Sequence, residues 1–190
     1  MKKLKFLSLS VIVAVFTLGG PLQAQSMKEK STMVGGAEMY PSKNIVENAV
    51  NSKDHTTLVA AVTAADLAGV LQSEGPFTVF APTNAAFAKL PAGTVETLLK
   101  PENKEMLQGI LTYHVIAGDF KAADVVAAIK KSNGTATFTT VNGAELKAMM
   151  DGSNVKIKDA AGNVATVTIA NVNQSNGVIH VIDTVLLPGK

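Results

Sequence analysis

Apolar and polar positions change period along this chain. Between residues 42 and 75 the apolar ones recur at helical spacing. Ile45, Val46, Ala49 and Val50 share one face, and Leu58, Val59, Val62 and Ala65 share another. Asp54 is placed to cap the second of these helices. A further short helix is predicted over residues 67–71, stopping before Gly75-Pro76. Residues 77–81 then break the period. Phe77, Val79 and Ala81 alternate with Thr78 and Phe80, as in a strand covered on both faces. Pro82 cannot donate a ladder hydrogen bond and ends the strand. Thr83 or Asn84 is placed to cap the next helix, where Phe87 and Leu90 turn inward.

Helical spacing resumes from Thr94. Residues 104–113 form a helix with a stripe of Met106, Leu107, Ile110 and Leu111, and residues 121–131 form another. From Thr135 the period becomes two. The segments 135–141, 144–150, 154–159, 163–172 and 177–187 read as strands. Between them stand Asn142-Gly143, Asp151-Gly152, Ala161-Gly162-Asn163 and Asn176-Gly177, which favour tight turns because they tolerate positive φ. Helices around one early strand, followed by an antiparallel meander, make a single α+β domain.

The first 24 residues have a different grammar. Lys2, Lys3 and Lys5 precede an apolar run from Phe6 to Leu18, and Gly19-Gly20-Pro21 breaks it ahead of Ala24. This is the pattern of a secretory signal peptide, cut after Ala24. The run is too short for a bilayer span, which takes about 20 residues, and no later segment is long and apolar enough, so the mature chain is expected to be exported without a membrane span. Residues 25–41 are polar and glycine-interrupted and read as a flexible leader, leaving 42–188 as the domain. Removing the signal also changes the charge. It takes three of the 17 basic residues and none of the 15 acidic ones, so the mature chain carries a net charge near −1. That balance offers no general footprint for nucleic acid. Arginine, cysteine and tryptophan are absent. Disulfides and thiolate chemistry are thereby excluded, and so is the bidentate fork suited to phosphate.

The turn at 81–84 is Ala-Pro-Thr-Asn. A phosphate cradle needs glycines there, and a nucleophile elbow needs Gly-x-Ser-x-Gly. Neither is present, so the turn is a structural joint. Of the three histidines, His55 reads as a solvated first-turn residue. His180 shares a strand face with Val178 and Ile182 and is expected to be buried, neutral and hydrogen-bonded. His114 follows Tyr113 at a helix exit. No local signature joins His114, His180, Asp183 and a hydroxyl residue into a hydrolase triad. No histidine spacing suits a metal, so neither metal nor cofactor is expected.

Three segments together resemble the fasciclin domain. "FTVFAPTNAAFAKLP" (77–91) resembles its first signature and "NGVIHVIDTVLLP" (176–188) its second. "ILTYHVIAGDF" (110–120) resembles its central segment, with the Tyr-His pair at Tyr113-His114. Asn84 stands where many members carry aspartate. The resemblance covers residues 41–188 and is closest to bacterial secreted single-domain members. It implies a wedge of two β-sheets flanked by several short helices, with the two signature strands adjacent in the core. Thr83, Asn84, His180 and Asp183 then belong to the structural motif, and Tyr113-His114 to the segment tied to adhesion in animal members.

The expected function is a non-enzymatic interaction or adhesion module. It would act at the cell surface, in the periplasm or in an extracellular matrix, on a protein or a cell-surface or matrix component, a second copy of itself being one candidate. The alternative is a carrier of a small lipophilic ligand such as a carotenoid, which some algal relatives bind. Met149-Met150 and the many alanines and valines suit that role, and they equally suit a packed core.

Overall fold

A computed structural model describes residues 30–189. The predicted signal peptide and residues 25–29 of the leader lie outside the described residues. The remainder of the leader corrects the expectation of flexibility. Strands β1 (Thr32–Val34) and β2 (Ala37–Met39) form an antiparallel hairpin. Gly35 and Gly36 make its turn with φ of +58° and +75°, a backbone that glycine adopts without penalty. Val34 and Met39 are each 1% exposed and tie the hairpin to the core.

Seven helices follow among the described residues: α1 (Ile45–Ala49), α2 (Thr56–Ala64), α3 (Ala68–Gln72), α4 (Asn84–Ala88), α5 (Thr94–Leu98), α6 (Lys104–Tyr113) and α7 (Ala122–Lys131). Asn44 starts α1 with a reciprocal cap. Its side chain accepts from the Glu47 N–H, and the Glu47 carboxylate accepts from the Asn44 N–H, both at 2.9 Å. Asp54 caps nothing; it lies in a 3₁₀ turn, Lys53–His55, that leads into α2. In α6 the buried stripe is Leu107, Ile110, Leu111 and Tyr113, while Met106 turns outward at 60% exposure.

The strands β3 (Phe77–Pro82), β4 (Val115–Ala117), β5 (Thr135–Thr139), β6 (Glu145–Asp151), β7 (Asn154–Lys158), β8 (Val164–Gln174) and β9 (Gly177–Ile182) form one sheet in the order β4-β3-β9-β8-β7-β6-β5. Strand β8 divides its partners. Residues 164–166 pair with β7, and residues 167–174 pair with β9 through two register shifts. Bulges of this kind bend a strand, so β8 is the spine shared by two leaves of an α+β wedge. The meander from β5 to β9 is antiparallel throughout, whereas the two signature strands, β3 and β9, lie side by side and parallel.

The central strands β3 and β9 are apolar on both faces because a core lies on each side. Val79, Ala81, Ile179 and Val181 pack against α1–α6. Phe80 and Ile182 turn the other way, onto Tyr113, the α7 residues Val125 and Ile129, and the inner face of β5–β7. The chain feels this close pairing at Gly177. Its φ is +154°, and a Cβ there would lie 2.0 Å from the Phe77 carbonyl oxygen.

Candidate functional site

The Tyr-His pair sits where α6 hands over to β4. Tyr113 is fully buried and His114 is 2% exposed. Both side chains of the segment that the resemblance ties to adhesion therefore lie inside the fold. The Tyr113 hydroxyl donates to the Glu145 carbonyl and accepts from the Ala160 N–H, each at 2.9 Å. Burial pushes its pKa up, and the Ala160 N–H opposes that. His114 is held at both ring nitrogens. Nδ1–H donates to the Ile110 carbonyl at 2.7 Å, and Nε2 accepts from the Leu186 N–H at 3.0 Å. Burial lowers its pKa to about 4, against the upward pull of the Ile110 carbonyl and of Asp159. The His114 carbonyl also accepts from Phe80 N–H at 2.9 Å. Two consecutive residues thus fasten α6 to β3, β6, the turn at Ala160 and the segment after β9.

The joint at 81–84 divides its labour. Thr83 caps α4 by accepting from Ala86 N–H at 3.2 Å. Asn84 reaches backward instead. Its amide donates to the Lys53 carbonyl at 2.8 Å, and its oxygen accepts from Thr57 N–H at 3.0 Å. Asp183 closes the second signature. Its carboxylate accepts from Thr166 N–H at 2.8 Å and from the Thr184 hydroxyl, with Lys89 at 3.5 Å. Partial burial raises its pKa, but these donors together with Lys89 outweigh burial and lower it. His180 stacks on Phe80 at 5.8 Å between centroids, and its Nε2 bonds the Phe120 carbonyl at 2.8 Å. Burial lowers its pKa too, opposed by that carbonyl.

His55 is the residue most misjudged from sequence. It is 1% exposed, not solvated. Its Nδ1 lies 2.9 Å from the Ser52 hydroxyl oxygen, and its Nε2 has no hydrogen-bond partner among the described residues. Burial lowers the pKa, while the Ala81 backbone beside the ring and Asp54 pull it up. This is a serine–histidine contact, but Ser52 is itself 1% exposed. Gly35 presses on it so closely that a Cβ there would lie 2.3 Å from the hydroxyl oxygen. No substrate reaches that oxygen in this packing. His55 also borders an apolar cavity of about 70 Å³ between α1, α2, α3 and the sheet, with Ile45, Leu58, Val62, Leu71 and Ile179 in its wall. Val50, 53% exposed, stands at its rim. Among the described residues no three His, Asp or Glu side chains converge where an ion could sit.

A model of the fasciclin domain matches residues 53–188. The chain belongs to the fasciclin family. This fasciclin chain is 49% identical over 176 residues to protein sll1483 of Synechocystis, with 91% of each chain covered. It is 35% identical over 174 residues to the immunogenic protein MPB70 of Mycobacterium bovis, covering 89% of this chain and 75% of that one. Over 114 residues it is 36% identical to the cell surface glycolipoprotein MPB83 of the same species, covering 60% of this chain and 44% of the other. A solved FAS1 domain pair from the insect cell adhesion molecule fasciclin I aligns with a TM-score of 0.47 at 25% identity, covering 67% of this chain and 40% of that one. The match begins at Lys53, so the β1–β2 hairpin and α1 stand ahead of the matched fasciclin residues.

Proposed function

We propose that this fasciclin chain is an exported, non-enzymatic interaction module acting at the cell surface, in the periplasm or in an extracellular matrix. Membership of the family carries the reading. A relative named as a cell surface glycolipoprotein supports it, and so does the signal-like start of the chain. The geometry agrees with a scaffold role for the polar side chains of the signature segments, because Tyr113, His114, His180 and Asp183 make their hydrogen bonds inside the molecule. Contact with a partner is then left to exposed surface, a second copy of the chain being one candidate partner. Labelled residues 25–190, titrated onto intact cells and isolated envelope of the source organism, should bind saturably and be displaced by unlabelled protein. Unsaturable or absent binding would remove the reading.

A second reading, a carrier of a small lipophilic molecule, is favoured by the cavity beside His55. Its wall is almost wholly apolar, with the partnerless Nε2 as a polar exception. At about 70 Å³ it is smaller than the roughly 150 Å³ cavity known to take benzene, so a carotenoid needs α1 and α2 to part. Native mass spectrometry of protein purified gently from its own host decides this. An extra mass lost on denaturation supports a cargo, and a bare chain removes one.

A further inference from the structure

The outward face of β5–β8 is a ledger of residues that no core and no helix uses. One row across it reads Thr137, Lys147, Lys158, Val164, each directly opposite the next. The adjacent row reads Thr135, Met149, Lys156, Thr166. Thr135, Thr137, Thr139, Lys147, Lys158 and Val164 are exposed, and α7 packs on the opposite, inner face.

The pair Lys147–Lys158 is the anomaly. Like charges directly opposite one another destabilise a sheet, whereas a lysine opposite a glutamate stabilises it at equal solubility. Lysine is common on edge strands, where it blocks unwanted pairing. That does not apply here, because β6 and β7 each have a strand on both sides. Neither lysine has a carboxylate within ion-pair distance among the described residues, while Lys156 is paired with Asp151 at 2.5 Å. Glu145 lies at the margin, opposite Thr139. The nearby Asp159 carboxylate is occupied by Asn163 and by Leu187 N–H. A groove lined by Glu145, Lys147, Lys158 and the turn at 159–162 opens beside the pair, so the two ammonium groups share it with the Glu145 carboxylate.

We infer that this face binds a linear acidic polysaccharide, a polymer of carboxylate-bearing sugars. The inference rests on the reading of the chain as an interaction module and names the class of its partner. Two lysines on an open surface hold a single small anion weakly, because water screens them. A polymer that presents successive carboxylates gains from multivalency. The threonine hydroxyls on the same face suit sugar hydroxyls. The face has no aromatic side chain for stacking bases and no arginine fork for phosphate. Its isolated Met149 and Val164 do not make the apolar stripe that a bilayer surface requires.

The test is biolayer interferometry of residues 25–190 on immobilised polygalacturonate, with dextran as the neutral reference. Wild type should bind polygalacturonate and not dextran, with affinity that falls as salt rises. Lys158→Glu should weaken binding by roughly tenfold or more while melting at the same or a higher temperature, since it turns a like-charge pair into an opposite one. Lys130→Glu/Lys131→Glu, on α7, should bind as wild type does. Equal binding to dextran, undiminished binding by Lys158→Glu, or a preference for phosphatidylglycerol vesicles over polygalacturonate would each overturn the inference. Cell binding separates the two levels. If Lys158→Glu binds source cells as well as wild type does, the lysine face falls and the interaction module stands. If wild type binds no cells, the module reading falls with it.

Discussion

His114 Nε2 accepts the N–H of Leu186, 72 residues further along the chain. The bond needs an unprotonated Nε2. A proton there would face the Leu186 donor with a second donor in a site sealed from water. Below pH 6.5 an unfolded imidazole takes up a proton that folded His114 refuses until about pH 4. The unfolded state therefore binds more protons in that window, and stability falls as pH drops through it. Above pH 6.5 the contribution is complete, and below about pH 4 it is lost; it is worth roughly 3 kcal/mol. Urea unfolding followed across this range should show the loss. His114→Gln should flatten the slope, leaving the smaller share of His55 and His180, whose values are lowered in the same direction.

Tyr113→Phe keeps the ring and removes the hydroxyl that joins Glu145 O to Ala160 N. Two backbone groups lose their partner, at a cost of about 1–3 kcal/mol. Chemical denaturation measures it. Because the hydroxyl lies inside, the folded variant should bind partner cells as wild type does, and weakened binding by a folded, thermally competent variant would return the residue to the interaction surface.

Thr83→Ala removes a helix cap and should cost about 1 kcal/mol. Asn84→Ala should cost more, since it releases both the Lys53 carbonyl and the Thr57 N–H. Asn84→Asp separates these roles. It keeps the acceptor for Thr57 and loses the donor to Lys53, so its melting temperature should fall between wild type and Asn84→Ala.

Gly177→Ala places a methyl within van der Waals overlap of the Phe77 carbonyl, on a backbone that L-residues rarely adopt. A loss above about 4 kcal/mol or failure to fold is expected. Gly143→Ala is the comparison. Its φ is also positive, but nothing lies within 4 Å of the added carbon, so it should cost less. Expression yield and melting temperature of the two read the difference.

The strands whose surroundings repeat regularly were legible from the sequence. Phe77–Pro82 and Gly177–Ile182 are apolar on both faces because each faces a core, and residue pattern alone shows that. The hairpin at Thr32–Met39 was not. Three-residue strands are too short to display a period, although Gly35-Gly36 between apolar neighbours was a usable turn signal. His55 was misread because its neighbours Lys53, Asp54 and Thr56 are polar, whereas the ring lies against β3 near Ala81, which is distant in sequence. The outward lysine row was equally hidden. Lys147 and Lys158 become partners only once the β6–β7 register is fixed.

Strand β3 is made early and its parallel neighbour β9 very late, so a hundred residues separate Phe77 from Gly177 and every pair after it. Contacts of such sequence separation form slowly. A chain shortened before residue 177 would lose the seam on which both leaves close, and shortening should act as all-or-none. During synthesis the β3–β9 seam has to wait until the last segment is free. For a protein read as destined for the far side of a membrane, the order of its strands works as a timer.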